Sequence, residues 1–157
     1  MWSERKLYIQ FVVGNNRFVL PAADVIGIVP LATLHDVPQA PEYVAGILNY
    51  HGTSVPVIDM TRLMAGKDTE LRLSARIVLL KVKSPDQSEN IVGLLAEKVT
   101  EVMRLFERDF KKSGVKNAGA EYLGDVITDD HGILQRLNVS ELLPKAAKKM
   151  LFETAEI

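Results

Sequence analysis

One stretch, Val44 to Met60, constrains this chain more than any other. Its residues, VAGILNYHGTSVPVIDM, read as one tight β-hairpin. Val44 to Tyr50 is apolar with an internal Gly, Thr53 to Ile58 is rich in β-branched residues, and His51-Gly52 lies between them. Gly at the second central position supplies the positive φ that a type I′ turn requires. That turn fixes the register: Tyr50 faces Thr53, Asn49 faces Ser54 and Leu48 faces Val55. Leu48, Val55 and Val57 then share a face that needs a core. Pro56 has no N–H to give to a ladder, so that side of the strand must lie at a sheet edge or a bulge. Asp59 ends the strand and is placed to cap a short helix, Met60 to Ala65, by accepting from its orphan N–H groups.

The rest of the chain has the same texture. Strands are predicted over Leu7 to Val13, Arg17 to Leu20 and Val25 to Val29, with Gly14-Asn15-Asn16 as a turn and Pro21 to Asp24 as one helical turn. A loop punctuated by Pro30, Pro38 and Pro41 leads into the hairpin. Gly66 to Glu70 is a polar connection. Ala75 to Val82 is apolar throughout, which predicts a strand buried on both faces. Ser84 to Glu89 is an exposed loop. Asn90 to Ala96 and Val99 to Leu105 are strands, and Phe106 to Gly119 is loop-like. Tyr122 to Thr128 and Gly132 to Leu137 form a hairpin around Asp129-Asp130-His131, and Val139 to Leu143 is a short helix. The tail, residues 144–157, contains helix formers.

Two halves of this order repeat. Asp59-Met-Thr-Arg-Leu-Met matches Asn138-Val-Ser-Glu-Leu-Leu, in each case a cap followed by paired apolar residues, and Asn138 with Glu141 has the spacing of a capping box. Each cap follows a hairpin whose turn ends in His-Gly, His51-Gly52 and His131-Gly132. Leu20-Pro-Ala-Ala-Asp-Val25 matches Leu94-Leu-Ala-Glu-Lys-Val99. Residues 7–65 and 75–143 thus read as two copies of one unit: hairpin, turn, strand, hairpin, short helix. Such a unit is too small to bury its own apolar faces. Two small curled sheets or barrels packed on a shared core solve that problem.

Chemistry is excluded largely by omission. The chain has 157 residues and no Cys, so disulfides, thiol nucleophiles and Cys-ligated zinc are out. With 47% apolar residues it can fill a core, and a formal net charge of −1 gives no pull toward nucleic acid or an anionic membrane. There is no signal-peptide pattern and no run long enough for a membrane span, which predicts a cytoplasmic protein without direct membrane insertion. Of the three histidines, His51 and His131 sit in tight turns and His35 is alone. Asp129-Asp130-His131 resembles a metal cluster only superficially, because three consecutive side chains in a turn do not converge on one ion. No nucleophile elbow and no phosphate-binding Gly loop occurs. Lys111-Lys112 and Lys145, Lys148 and Lys149 lack interleaved aromatics and read as solvated faces. Trp2 reads as a packing residue. Neither a cofactor nor a metal is expected, and no enzyme. What remains is surface: strand edges and shallow grooves for partners.

The hairpin then carries a resemblance. G-I-L-N-Y-H-G-T-S-V-P-V-I-D-M is similar to the signature of CheW-like coupling domains, G-[VI]-x-N-x-R-G followed by V-P-[VI]-[VI]-D-[LM]. Tyr8 to Val13 looks like that family's opening strand, and Val25-Ile-Gly-Ile28 falls where it has V-x-E-I. Pro38 to Gly46 resembles its P-x-x-P-x-x-[IV]-x-G approach, and Ile91 to Leu95 with Val99 to Val102 its V-G-[IL]-x-V-D-x-V. The resemblance implies a mostly β fold of two five-stranded SH3-like barrels on a shared core with short helices, one CheW-like domain over residues 1–157. It also implies a non-enzymatic adaptor, recruited to receptor arrays at the membrane, that couples chemoreceptors (methyl-accepting chemotaxis proteins) to a CheA-type histidine kinase in bacterial signal transduction.

By the same resemblance Val25, Gly27, Gly46, Asn49, His51 and Gly52 lie on or beside the partner-binding surface. Two of them depart from the pattern: His51 stands where the family has Arg, and Gly27 where it has Glu. The N-Y-H-G turn, the Arg76-Ile-Val-Leu-Leu strand entry and the N-V-S-E-L-L-P ending look more like Wsp-type couplers of surface-sensing pathways. The competing expectation is a sensor that takes a small molecule or peptide in the groove between the barrels.

Overall fold

The computed structural model describes residues 5–67, 69–70, 73–83, 88–114 and 120–143. Among the described residues there are ten strands: β1 (Arg5–Val13), β2 (Asn16–Pro21), β3 (Val25–Pro30), β4 (Val44–Tyr50), β5 (Thr53–Asp59), β6 (Arg76–Lys83), β7 (Glu89–Ala96), β8 (Lys98–Phe106), β9 (Leu123–Asp129) and β10 (Gly132–Leu137). One α-helix, α1 (Met60–Ala65), and 3₁₀ turns at Ala22–Asp24, Glu107–Asp109 and Val139–Glu141 complete the described elements. The fold is mostly β, as the sequence predicts. The described part of the tail ends at Leu143; Trp2, the loop residues 84–87 and the lysines beyond 143 lie outside the described residues.

The strands form two five-stranded sheets, β8-β1-β2-β10-β9 and β3-β6-β7-β5-β4. Each sheet draws strands from both halves of the chain. Replacing each of β1 to β5 by its counterpart in β6 to β10, and the reverse, turns one order into the other. Backbone bonds follow the same correspondence. Asp59 N–H donates to the Tyr43 carbonyl at 2.8 Å, and Asn138 N–H to the Tyr122 carbonyl at 2.7 Å. Every unit therefore lends part of itself to a sheet that the other unit completes, which is how segments too small for a private core become stable.

The sheets curl without closing. β3 and β4 end one sheet, β8 and β9 the other, and neither pair is joined strand to strand. Each gap is spanned by an isolated bridge from the loop after the edge strand: His35 to Ile47 in one sheet, Lys111 to Val126 in the other. The two five-stranded units on a shared core are present, as curled open sheets rather than closed barrels. The chain leaves the edge strand through a Pro-containing loop or a 3₁₀ turn before it can pair again, so one residue crosses where a strand would be needed.

Packing follows the curl. Phe11, Phe18, Leu20, Ile58, Val78, Leu80, Val92, Leu94 and Leu137 fill a core shared by the two sheets. A second cluster, Leu48, Val55, Val57, Ile77 and Leu79, lies inside the curl of the β3–β4 sheet. A third, Tyr8, Val19, Phe110 and Leu134, lies inside the other. β6 alternates between two of these cores, with Ile77 and Leu79 on one side and Val78, Leu80 and Val82 on the other. This is the burial on both faces that its unbroken apolar run predicts.

Candidate functional site

The β4–β5 hairpin has the predicted register, with Tyr50 opposite Thr53, Asn49 opposite Ser54 and Leu48 opposite Val55. His51 at φ 51° and Gly52 at φ 86° are both left-handed, as a type I′ turn demands. Asn49 braces the turn: its Oδ1 accepts the Gly52 N–H at 2.9 Å. The Tyr50 ring meets the His51 imidazole edge-on at 4.5 Å. Asn49, His51 and Gly52 are exposed, whereas Tyr50 is half-buried and packs on the core inside its own sheet. Pro56 proves to be in an interior strand. It lies opposite Ile47 and just before the β5–β7 ladder begins at Val57, so its missing N–H faces a locally unpaired edge.

Gly27 lies on the edge strand β3, opposite Leu79. A Cβ there would stand 3.5 Å from the Tyr50 hydroxyl oxygen and 3.8 Å from Leu79 Cδ1, both ordinary contacts. Gly27, Asn49, His51 and Gly52 are thus gathered around Tyr50. Gly46 and Val25 are not. Gly46 is buried at the far end of the hairpin, with φ +150°, and a Cβ there would lie 2.7 Å from the His35 carbonyl oxygen and 2.8 Å from Leu34 Cβ. The backbone that approaches this glycine is the chain's own. Val25 pairs with Leu80 and packs toward the shared core.

A feature that the motif reading missed lies on the two edge strands. Ile28 on β3 is 42% exposed and Val102 on β8 is 60% exposed. Ile28 lies opposite Val78 of the shared core, and Val102 opposite the buried Ile9. Each edge strand therefore carries one exposed aliphatic side chain directly beside a buried one, at the seam where the two sheets meet the shared core. The signal available in the sequence was the matched apolar pair itself, since Val25 aligns with Val99 and Ile28 then aligns with Val102.

The ends of both units differ from the expected pair of capped helices. Asp59 caps α1 as predicted, its Oδ1 accepting the Arg62 N–H at 3.1 Å. Asn138 caps nothing. Its side chain accepts from the Ser140 hydroxyl at 2.7 Å, and the segment after it is a 3₁₀ turn rather than a helix through Leu143. The second hairpin also turns differently, since Gly132 already belongs to β10 at φ 107° while Asp130 and His131 form the turn. The two His-Gly pairs are not equivalent in space.

Ionic groups are used internally. Arg17 grips Asp129 through two hydrogen bonds of 3.0 and 2.5 Å, and this bond holds the Asp129 carboxyl below the usual range. Arg136 bonds Glu107 at 2.6 Å and Asp125 at 3.3 Å while lying over the Phe110 ring, and Tyr8 gives its hydroxyl proton to Glu107 at 2.9 Å. Among the described residues no three His, Cys, Asp or Glu side chains are grouped to hold a metal, and no helix is long and apolar enough to cross a membrane. A groove of about 680 Å³ runs between the sheets, lined by charges of both signs including Asp24, Lys81, Lys83 and Arg136.

Two exchanged half-chains, a braced hairpin tip and apolar edge strands define a β module whose distinctive features are surfaces. The chain belongs to the family of the CheW-like domain, whose model matches residues 7–147. It is 28% identical over 106 residues to the chemotaxis protein CheW of Rhizobium meliloti, covering 66% of this chain and 63% of that protein. It is 23% identical over 142 residues to the protein FrzA of Myxococcus xanthus, covering 88% and 86%. The match to the Rhizobium protein thus spans slightly less than two thirds of its length. In three dimensions the chain resembles the scaffolding protein TtCheW of Thermoanaerobacter tengcongensis, with a TM-score of 0.79 at 21% identity over 94% of this chain and 93% of that one.

Proposed function

We propose that this protein is a non-enzymatic adaptor that couples chemoreceptors to a CheA-type histidine kinase in a chemosensory array. The observation that carries the reading is the match of the CheW-like domain to residues 7–147, which takes in β2 to β10 whole and β1 from Leu7 onward. Residues 7–65 and 75–143 are two copies of one unit within a single domain of residues 1–157, a division supported by the interchangeable strand orders. Gly27, Asn49, His51 and Gly52 form the tip that meets the kinase. Gly46 and Val25, which lie away from the tip, belong to the partner-binding surface only by the family resemblance. The aliphatic seam edges at Ile28 and Val102 take the receptor, because exposed aliphatic side chains beside buried ones are suited to an amphipathic helix. The protein works in the cytoplasm, recruited to receptors at the membrane. The N-Y-H-G turn, the Arg76-Ile-Val-Leu-Leu strand entry and the N-V-S-E-L-L-P ending support a Wsp-type coupler over a standard chemotaxis coupler.

The test is co-elution of the purified protein with the kinase and with the signalling region of a receptor from the same organism. A complex with both is expected. Binding to neither overturns the reading. The groove between the sheets favours one alternative, a sensor for a small polar molecule, since its volume of about 680 Å³ suits such a ligand. Charges of both signs, Asp24, Lys81, Lys83 and Arg136 among them, stand along its walls and suit a polar ligand. A metabolite panel that raises the melting temperature of the isolated protein supports that alternative.

A further inference from the structure

Resting on the reading of the hairpin tip as the kinase-facing surface, we infer that Tyr50 is a positioning residue for partner binding, fixing the tip against β3 and thereby setting both what position 27 can hold and how His51 is presented. β3 and β4 are the two unpaired ends of one sheet, and at the tip end of the hairpin no backbone bond joins them. The bridge between His35 and Ile47 holds only the other end. Near the tip, the Tyr50 side chain spans the gap. Its ring packs on the core cluster of Leu48, Val55, Val57, Ile77 and Leu79, against which Ile26 and Val29 of β3 also pack, and its hydroxyl oxygen stands 3.5 Å from where a Gly27 Cβ would be. The same ring holds the His51 imidazole edge-on at 4.5 Å.

Three consequences follow from these contacts. First, position 27 has room for a Cβ but not for atoms beyond it unless the Tyr50 ring moves. Second, the imidazole is presented in one orientation, since its backbone is fixed by the left-handed φ of 51° and its ring by Tyr50. Less orientational freedom is then lost on binding. Third, the Gly at 27 and the His at 51 act together, because the space at 27 ends on the Tyr50 hydroxyl and the imidazole lies against the Tyr50 ring. Recognition at this tip is set by the trio Gly27, Tyr50 and His51, and a partner suited to a different trio is rejected by shape.

The experiment measures affinity for the purified regulatory domain of the CheA-type kinase, together with the ¹H chemical shifts of the His51 ring in the free protein. Tyr50→Leu is expected to weaken binding about tenfold or more and to move the His51 ring protons toward their unstacked positions. Tyr50→Phe and Gly27→Ala keep the affinity within about twofold, since the ring and the space for a Cβ are retained. Gly27→Val weakens binding like Tyr50→Leu, and the double variant is no worse than either single one, because both act on one ring. Tyr50→Leu adds nothing on a His51→Ala background. Wild-type affinity for Tyr50→Leu, additive losses in the double variant, or unmoved His51 shifts overturn the inference. Should the native protein fail to bind the kinase domain, the kinase assignment falls, and the ring shifts in the free protein alone decide whether Tyr50 positions His51. Circular dichroism of each variant separates loss of binding from loss of fold.

Discussion

Thr69 is tied to Asp59 twice: its backbone N–H donates to Oδ2 at 3.0 Å and its hydroxyl to Oδ1 at 2.5 Å. Both residues are buried, and Thr61 joins them through a 3.0 Å bond between hydroxyls. The carboxylate that caps α1 therefore also anchors the connection to β6. Replacing Asp59 by Ala removes the cap, strands the buried Thr69 N–H and leaves the Thr69 hydroxyl only Thr61, and should cost about 2–4 kcal/mol. Asn138→Ala at the corresponding place should cost less than about 0.5 kcal/mol, since that side chain caps no helix. Urea denaturation of the two variants checks the difference.

Gly46 and Gly27 should respond oppositely to a methyl group. At Gly46 it meets the backbone of His35 at 2.7 Å, and the φ of +150° disfavours any L side chain. Gly46→Ala is expected to destabilise by roughly 1–3 kcal/mol, and Gly46→Asp to unfold the protein rather than to abolish binding alone. Gly27→Ala should leave the melting temperature nearly unchanged. A stable Gly46→Asp variant would show that the 34–35 loop yields.

Gly93 on β7 is enclosed by side chains. A Cβ there would lie 2.8 Å from Ile77 Cγ2 and 3.1 Å from Val57 Cγ2. Gly93→Ala should cost about 1–3 kcal/mol by overpacking, and Ile77→Ala about 2–5 kcal/mol by opening a cavity. The double variant should be less destabilised than the sum, since the new methyl enters the space left by Ile77. Strict additivity in denaturant unfolding would contradict this packing.

The acid limb of stability should depend on Glu107. Its carboxyl is held below the usual range, chiefly by the hydrogen bond from Arg136 and next by that from Tyr8. A carboxyl whose pKa is lower in the folded state contributes stability that is present above its unfolded pKa. That contribution is lost as pH falls through the folded value. Arg136→Gln should therefore flatten the fall in urea midpoint below the ordinary Glu range while leaving the slope near neutrality unchanged. Asp129 has the same sign through Arg17, so Arg17→Gln should remove a second part of that limb.

Legibility in the sequence divided along a physical line. The hairpin register, the cap at Asp59 and the core at Leu48, Val55, Val57, Ile77, Leu79, Val92 and Leu94 were readable, because turn chemistry and alternation are local. The sharing of strands between sheets was not, because nothing local says whether β3 joins β2 or β6. The role of Thr69 was hidden inside a polar connection, and only its burial against Asp59 reveals it. At the candidate site the motif placed Gly27 and His51 on one surface, but the residue that joins them, Tyr50, occupies a variable slot of the pattern. Gly46 illustrates the converse. The resemblance puts it on or beside the partner-binding surface, and the structure fills the space next to it with the chain's own His35.

The seam edges give the last expectation. Val102 and Ile28 are exposed on strands that have a neighbour on one side only, and neither is needed to fill a core. A carboxylate at either position stays solvated in the free protein, so Val102→Asp and Ile28→Asp should each change stability by no more than about 0.5 kcal/mol. Against an apolar receptor helix the same carboxylate must lose its water without gaining a partner, which costs several kcal/mol in the bound state. Receptor co-sedimentation should therefore fail for both variants while co-elution with the kinase, assigned to the hairpin tip, persists. His51→Ala should show the reverse pattern. If Val102→Asp and Ile28→Asp retain the receptor, the edge strands serve only as protected margins of the sheets, and receptor recognition has to be sought on another face.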